Sequence, residues 1–103
     1  MRWKGAADDP MAALIVSREA TIPNALGLHA RAAARFVHTA SRFRSQVSAS
    51  RDGRTMDGKS ILGILLLAAP QGTEIELQVD GPDEAEAMAA LEALVADGFG
   101  ERA

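Results

Sequence analysis

A histidine and an arginine stand two residues apart at the start of an alanine-rich segment, within Asn24 to Arg35, NALGLHARAAAR. Asparagine and glycine are typical of a loop and alanine is the best helix former. The composition therefore predicts a helix that begins at about Ala30, with His29 at its entrance. The first backbone N–H groups of a helix have no partner inside it, and together with the helix dipole they favour negative charge. The pattern predicts a site that can bind a phosphate group.

His29 in that position is suited to carry a phosphoryl group. The positive end of the helix disfavours imidazolium, which keeps the ring neutral with a nitrogen available as a nucleophile. Arg31 can add a forked, charge-assisted contact to the phosphate oxygens. A lone histidine in a loop beside an arginine is more often an ordinary surface residue, however, and the spacing alone favours that simpler interpretation.

Composition sets the class of protein. The chain has 103 residues, 48% of them hydrophobic, which fits one small domain with a single core. Its net charge of -3 argues against nucleic-acid binding. The longest apolar run, Ile61 to Pro70, is too short to cross a membrane. The absence of cysteine excludes thiolate metal sites and agrees with a cytoplasmic location, which we expect.

The first residues, Met1 to Met11, lack the apolar stretch of a secretory signal. We expect residues 1–12 to form a mobile leader, with Met11 as an alternative start, and residues 13–103 to form the domain.

Hydrophobic periodicity predicts four strands and three helices. The strands are expected at residues 14–22, 46–50, 54–57 and 73–79, and the helices at residues 30–43, 60–69 and 82–97. An Asp-Gly pair at Asp52 joins the second and third strands in a tight hairpin. The order β-α-β-β-α-β-α indicates an α+β fold, an open-faced β-sandwich in which a four-stranded antiparallel sheet is covered on one face by three helices.

The second helix is apolar on too many sides for a simple surface helix. Ser60 is suited to cap its start, and Pro70 stops it. The inward-facing residues are expected to be Ile64, Leu67 and Ala68. The residues expected to form an apolar surface patch are Ile61, Leu62 and Leu65. Small monomers seldom expose such a patch without a partner, although deep burial of the whole helix in the core is the alternative.

A basic stripe runs along the first helix. Its members recur at helical spacing and are Arg31, Arg35, His38 and Arg42. The stripe is either an ordinary solvated face or a docking strip for acidic partners, and the sequence leaves the two interpretations level. His38 is expected to be a surface member of the stripe and not a second acceptor.

Three segments in order resemble the histidine-containing phosphocarrier HPr family of the bacterial phosphotransferase system. They are GLHARAAARFVHTAS, SASRDGRTMDGKSILGILLLA and GPDEAEAMAALEALVADGFGE. The resemblance implies that enzyme I, charged by phosphoenolpyruvate, phosphorylates His29 on Nδ1 and that Arg31 steadies the phosphate. The protein would then pass the group to an enzyme II class receiver domain, as a carrier and not an enzyme, without metal or cofactor. Ala32 departs from the pattern, because the family usually has proline there.

The resemblance also implies a regulatory role for Ser60, which is similar to the serine that HPr kinase modifies in some bacteria. A phosphate there would place about two negative charges beside Ile61, Leu62 and Leu65 and repel acidic partners. A plain helix cap is the simpler role. Ala32 and the arginine-rich helix favour the nitrogen-related variant of the family, and we expect a monomer.

Two other functions stay open. A regulatory paralogue that acts only by protein contact would have the same sequence features, and it differs only in that His29 is never phosphorylated. A ferredoxin-like module that binds a small ligand would share part of the element order, and His29 would then be incidental.

Overall fold

The computed structural model describes residues 16–101, and these form the predicted α+β fold. Its elements are β1 (Val16–Thr21), α1 (Ala30–Ser41), β2 (Gln46–Arg51), β3 (Arg54–Asp57), α2 (Ile61–Leu66), β4 (Glu74–Asp80) and α3 (Glu84–Ala96). A short 3-10 turn, Gly98–Gly100, follows α3. The order β-α-β-β-α-β-α is as predicted. The expected leader, residues 1–12, and the boundary at residue 13 lie outside the described residues.

The sheet is antiparallel, with the strand order β1-β4-β2-β3. The alternation in β4 places Ile75, Leu77 and Val79 on the core face, where each is at most 1% exposed. The register pairs Val79 with Val16 on one side and with Val47 on the other, so the apolar rows of three strands align. The β2–β3 hairpin turns through Asp52 and Gly53, both with positive φ, as an Asp-Gly turn requires.

All three helices pack on the core face of the sheet, where α1 contributes Ala33, Phe36 and Ala40 to one hydrophobic core. α1 ends at Ser41, two residues before the predicted end. The next two backbone N–H groups, those of Arg42 and Phe43, bond back to Thr39 and Ala40 and so close the last turn.

The packing of α2 corrects two expectations about which residues face outward. Leu65 is only partly exposed and packs against the core, whereas its neighbour Leu66 is 49% exposed. Ala68, expected to face inward, is exposed. The reason is that α2 has only six residues and the chain leaves helical geometry at Ala68, which has φ of +49°. The Arg51 guanidinium donates to the carbonyls of Leu67 and Ala68, both at 2.9 Å, and holds this end.

Hydrogen bonds at the start of α3 tie this helix to the connection between α1 and β2. The Asp83 carboxylate accepts hydrogen bonds from the backbone N–H groups of Arg44 and Ser45, both at 2.9 Å, and from the Ser45 hydroxyl at 2.5 Å. The Ser45 hydroxyl, followed by the Arg44 N–H, lowers the pKa of Asp83 from 3.8 to about 2. These hydrogen bonds therefore hold the start of α3 beside the start of β2.

None of the helices within residues 16–101 has the length and apolar character needed to cross a membrane.

Candidate functional site

The loop before α1 is fastened at both ends. Asn24 is buried, and its Nδ2 donates to the Gly27 carbonyl at 2.9 Å. Leu28 donates its N–H to the Ala69 carbonyl at 2.9 Å. Gly27 has φ of +66°, and a Cβ there would lie 2.5 Å from the Ala69 oxygen, so a side chain does not fit. These contacts determine the position at which His29 enters α1.

His29 is the N-cap residue of α1, with φ of -77° and ψ of -177°. Its carbonyl accepts the N–H of Ala33 at 2.8 Å, which is the first bond of the helix. The ring makes no capping hydrogen bond, so the first N–H groups of α1 lack a partner from their own cap. Its side chain is 27% exposed. The imidazole is thus partly exposed and lies outside the hydrophobic core.

The His29 ring contacts a carboxylate that lies far away in the sequence. Its Nε2 meets Oε2 of Glu101, 72 positions along the chain. The other carboxylate oxygen of Glu101 accepts a hydrogen bond from Nδ2 of Asn24 at 2.8 Å. This bond with Asn24 is the main cause that lowers the pKa of Glu101; the partial burial of the carboxyl opposes it, and His29 and the charge of Arg31 add to it.

Arg31 lies in the first turn of α1 and is exposed. A cation in the first turn is unfavourable for the helix dipole, and α1 has no acidic residue there to offset it. The unfavourable interaction would be offset by an anion bound at the same helix end. His29 and Arg31 thus both lie at the N-terminal end of α1.

The predicted basic stripe is exposed along its whole length, but its members are not equivalent. The Arg35 guanidinium donates to the carbonyl of Phe99 and so holds the turn after α3 against α1. The Arg42 guanidinium lies 5.7 Å from the centre of the Phe43 ring. His38 is exposed and far along the helix from its start, as expected of a surface residue.

The start of α2 contains Ser60, the predicted regulatory residue. The Ser60 hydroxyl accepts the N–H of Gly63 at 3.0 Å, so Ser60 is the N-cap, as predicted. The first and second residues of α2, Ile61 and Leu62, are 46% and 67% exposed. With Leu66 in place of Leu65, these side chains form the apolar patch, a name used below for Ile61, Leu62 and Leu66.

Sequence reasoning missed Glu101 and the structural role of Asn24. Asn24 was visible only as a loop residue. Glu101 stood within the last resembling segment, but no local pattern connects it with His29. Their association depends on how the turn Gly98–Gly100 folds back onto α1, which is a long-range contact that periodicity does not encode.

Comparison with known proteins gives one consistent result. Residues 16–97 match the family described as the PTS HPr component phosphorylation site. The phosphocarrier protein HPr of Cupriavidus necator is 54% identical over 87 residues, which cover 84% of this chain and 98% of that protein.

Two solved structures are similar over most of the fold. HPr-C-His from Thermoanaerobacter tengcongensis superposes with a TM-score of 0.82 at 43% identity, covering 85% of this chain and 99% of that one. A structure described as the HPr dimer from the same organism gives a TM-score of 0.68 at 46% identity, covering 80% and 94%.

Proposed function

Because the chain belongs to the HPr phosphocarrier family of the phosphotransferase system, we propose that His29 accepts a phosphoryl group from phosphoenolpyruvate-charged enzyme I. The protein then passes the group to an enzyme II class receiver domain. The observation that supports this role most directly is the His29 ring itself, partly exposed at a helix start whose N–H groups it leaves uncapped. A residue selected to stabilise the fold would cap these groups.

The helix start favours the phosphorylated state. A phosphoryl group on Nδ1 brings negative charge to the positive end of α1, where unpaired N–H groups can donate to its oxygens. Ala32 provides one further donor, because alanine keeps the backbone N–H that the proline usual in the family would lack. Catalysis of the transfer is then mainly a matter of position and electrostatics.

Arg31 steadies the transferred group in this proposal. Its guanidinium is exposed in the first turn, within the same helix start, and can donate two parallel hydrogen bonds to phosphate oxygens. The resulting ion pair also offsets the unfavourable position of a cation at a helix N-terminus.

The apolar patch is the proposed docking surface for enzyme I and the receiver domain. Its three side chains are each at least 46% exposed, and a group of exposed apolar side chains on one short helix is a feature of protein interaction surfaces. The exposed basic residues of α1 suit an acidic partner. Ser60 lies directly before the patch, so phosphorylation of Ser60 by HPr kinase would place negative charge at its edge.

We propose that the protein acts in the cytoplasm as a monomer, since one exposed site must meet several partners. A related solved structure is described as an HPr dimer, so sedimentation of this chain is the direct measurement of its state. Assignment of this chain to the nitrogen-related variant of the family stays a prediction, based on Ala32 and the arginine-rich helix.

The test is incubation with enzyme I and phosphoenolpyruvate, followed by measurement of the intact mass. We expect the wild type to gain one acid-labile phosphoryl group and His29→Ala to gain none. His38→Ala is the matched control, because His38 is an exposed histidine on the same helix, and it should gain the group as the wild type does. No gain in the wild type would contradict the carrier role and favour a regulatory protein that acts by contact through the apolar patch.

A further inference from the structure

We propose that Glu101 is a positioning residue for His29: its carboxylate holds the proton of the neutral ring on Nε2 and so presents the Nδ1 lone pair for reaction. The inference rests on the proposed function, because it identifies the group that prepares the phosphoryl acceptor. Glu101 itself touches neither the phosphoryl group nor its donor in this scheme.

The geometry begins with the two oxygens of Glu101, which have different partners. Oε2 lies against Nε2 of His29, and Oε1 accepts the Nδ2 hydrogen of Asn24 at 2.8 Å. Asn24 is buried and also donates to the Gly27 carbonyl, so it is a fixed support. With Oε1 held by Asn24, Oε2 has one orientation toward the ring.

The turn after α3 brings the carboxylate to this position. Phe99 is fully buried and has φ of +60°, which reverses the chain so that the next residues run back toward α1. The Arg35 guanidinium donates to the Phe99 carbonyl and fastens this turn to α1 itself. The side chain of Glu101 is only 11% exposed. Its contact with His29 is therefore built into the fold and is not an encounter on the surface.

A carboxylate can only accept a hydrogen bond, so its contact with Nε2 requires a proton on that nitrogen. In the neutral ring, Nδ1 then carries the lone pair, and no capping hydrogen bond from the helix start occupies it. The other tautomer would put two unprotonated acceptors, Nε2 and Oε2, against each other. Glu101 thus fixes the tautomer that has its proton on Nε2.

The same carboxylate assists the transfer step. The Nδ1 lone pair forms the N–P bond, while the bond from phosphorus to the donor atom breaks and its electron pair stays on the donor. Nε2 keeps its proton, so the ring gains a positive charge as the N–P bond forms. The negative charge of Glu101 at Nε2 stabilises that developing charge. Arg31, the other charged side chain that acts on Glu101, lies on the phosphate side.

The first experiment measures the unphosphorylated protein, so it does not depend on the proposed function. Long-range proton–nitrogen NMR of histidine-labelled protein, at a pH at which the rings are neutral, reports which ring nitrogen carries the proton. In the wild type we expect His29 to have its proton on Nε2 almost entirely. In Glu101→Ala we expect a mixture of both forms, as in exposed His38, which is an internal reference in the same spectrum. An identical His29 spectrum in wild type and Glu101→Ala would overturn the proposal.

The second experiment separates the hydrogen bond from the charge. Glu101→Gln keeps an oxygen that can accept from Nε2 but has no charge, so it should keep the tautomer and slow phosphoryl uptake from enzyme I by about tenfold, as loss of a charge-assisted hydrogen bond implies. The maximal rate should fall while the concentration for half-maximal rate stays constant, because Glu101 is not a docking residue. Glu92→Gln, an exposed glutamate on α3, is the control and should match the wild type.

The two experiments fail independently. If no variant takes up phosphate, the proposed function is wrong, while the tautomer spectra still decide the role of Glu101. If uptake occurs at equal rates in wild type and Glu101→Gln, the charge has no role in transfer and that part of the proposal is wrong. Unchanged amide spectra of β4 in both variants ensure that a slower rate does not result from unfolding.

Discussion

The starts of α1 and α2 are alike in outline but differ in their chemistry. Both N-cap residues, His29 and Ser60, have extended backbone, and neither helix has an acidic residue in its first turn. Ser60 accepts the N–H of Gly63 and so uses its side chain to complete its own helix. The His29 ring makes no such bond and instead contacts Glu101 from another part of the chain. The α1 start is left able to bind an anion, whereas the α2 start is closed by its own cap.

The difference indicates that Ser60 stabilises its helix, whereas His29 is suited to phosphoryl transfer. A histidine is a poor N-cap compared with serine, and Arg31 is a cation beside the positive helix end. His29 and Arg31 therefore both disfavour α1 by itself, and both favour a phosphoryl group at its start. At α2, the N-cap residue Ser60 stabilises the helix, and the proposed functional feature is the apolar patch that follows Ser60.

Replacement of Arg31 by alanine should give the largest change that leaves the acceptor in place. We expect phosphoryl uptake to slow by about tenfold to a hundredfold, the effect of losing charge-assisted hydrogen bonds to phosphate. The free energy of unfolding should not fall, because the cation opposes the helix dipole. Rapid-quench kinetics and urea unfolding measure the two quantities. Arg54→Ala, an exposed arginine of the hairpin, is the control. Loss of stability in Arg31→Ala without slower uptake would make Arg31 a structural residue.

A negative charge at the start of α2 should weaken docking without disturbing the helix. Ser60→Asp retains an N-cap and adds charge next to the apolar patch, so we expect its affinity for enzyme I to fall by about tenfold. Ser60→Asn is the matched variant, because asparagine caps equally well without charge, and its affinity should remain that of the wild type. Calorimetric titration of each protein with enzyme I measures these affinities. Equal affinities for all three proteins would show that the patch is not near the docking surface.

Local chemistry explains why the sequence predicted these two helix starts so well. Asparagine, glycine and alanine around His29, and serine before an apolar run at Ser60, act within a few residues of each other. The alternation of β4 likewise predicted its buried face, since period-two patterning needs only neighbours.

The features that sequence reasoning missed depend on tertiary contacts. Leu66 and not Leu65 is exposed, because α2 stops after six residues and Arg51 holds its end from β2. The contact of Glu101 with His29 requires a turn that places Phe99 in the core with positive φ. No local propensity indicates such a turn for phenylalanine, so only the packed fold reveals it.

The smallest expected effect comes from a substitution that makes the start of α1 resemble that of α2. This substitution tests the comparison most directly. A serine hydroxyl at position 29 can accept the N–H of Arg31 or Ala32, so His29→Ser should have a free energy of unfolding about 1 kcal/mol higher than that of His29→Ala. Ser60→Ala should lose about the same amount relative to the wild type. Urea unfolding of the variants measures both differences, and neither His29 variant should accept a phosphoryl group. Equal stabilities of His29→Ser and His29→Ala would mean that the N–H groups of the first turn are not available to an acceptor. The phosphoryl oxygens would then lack the donors that distinguish α1 from α2.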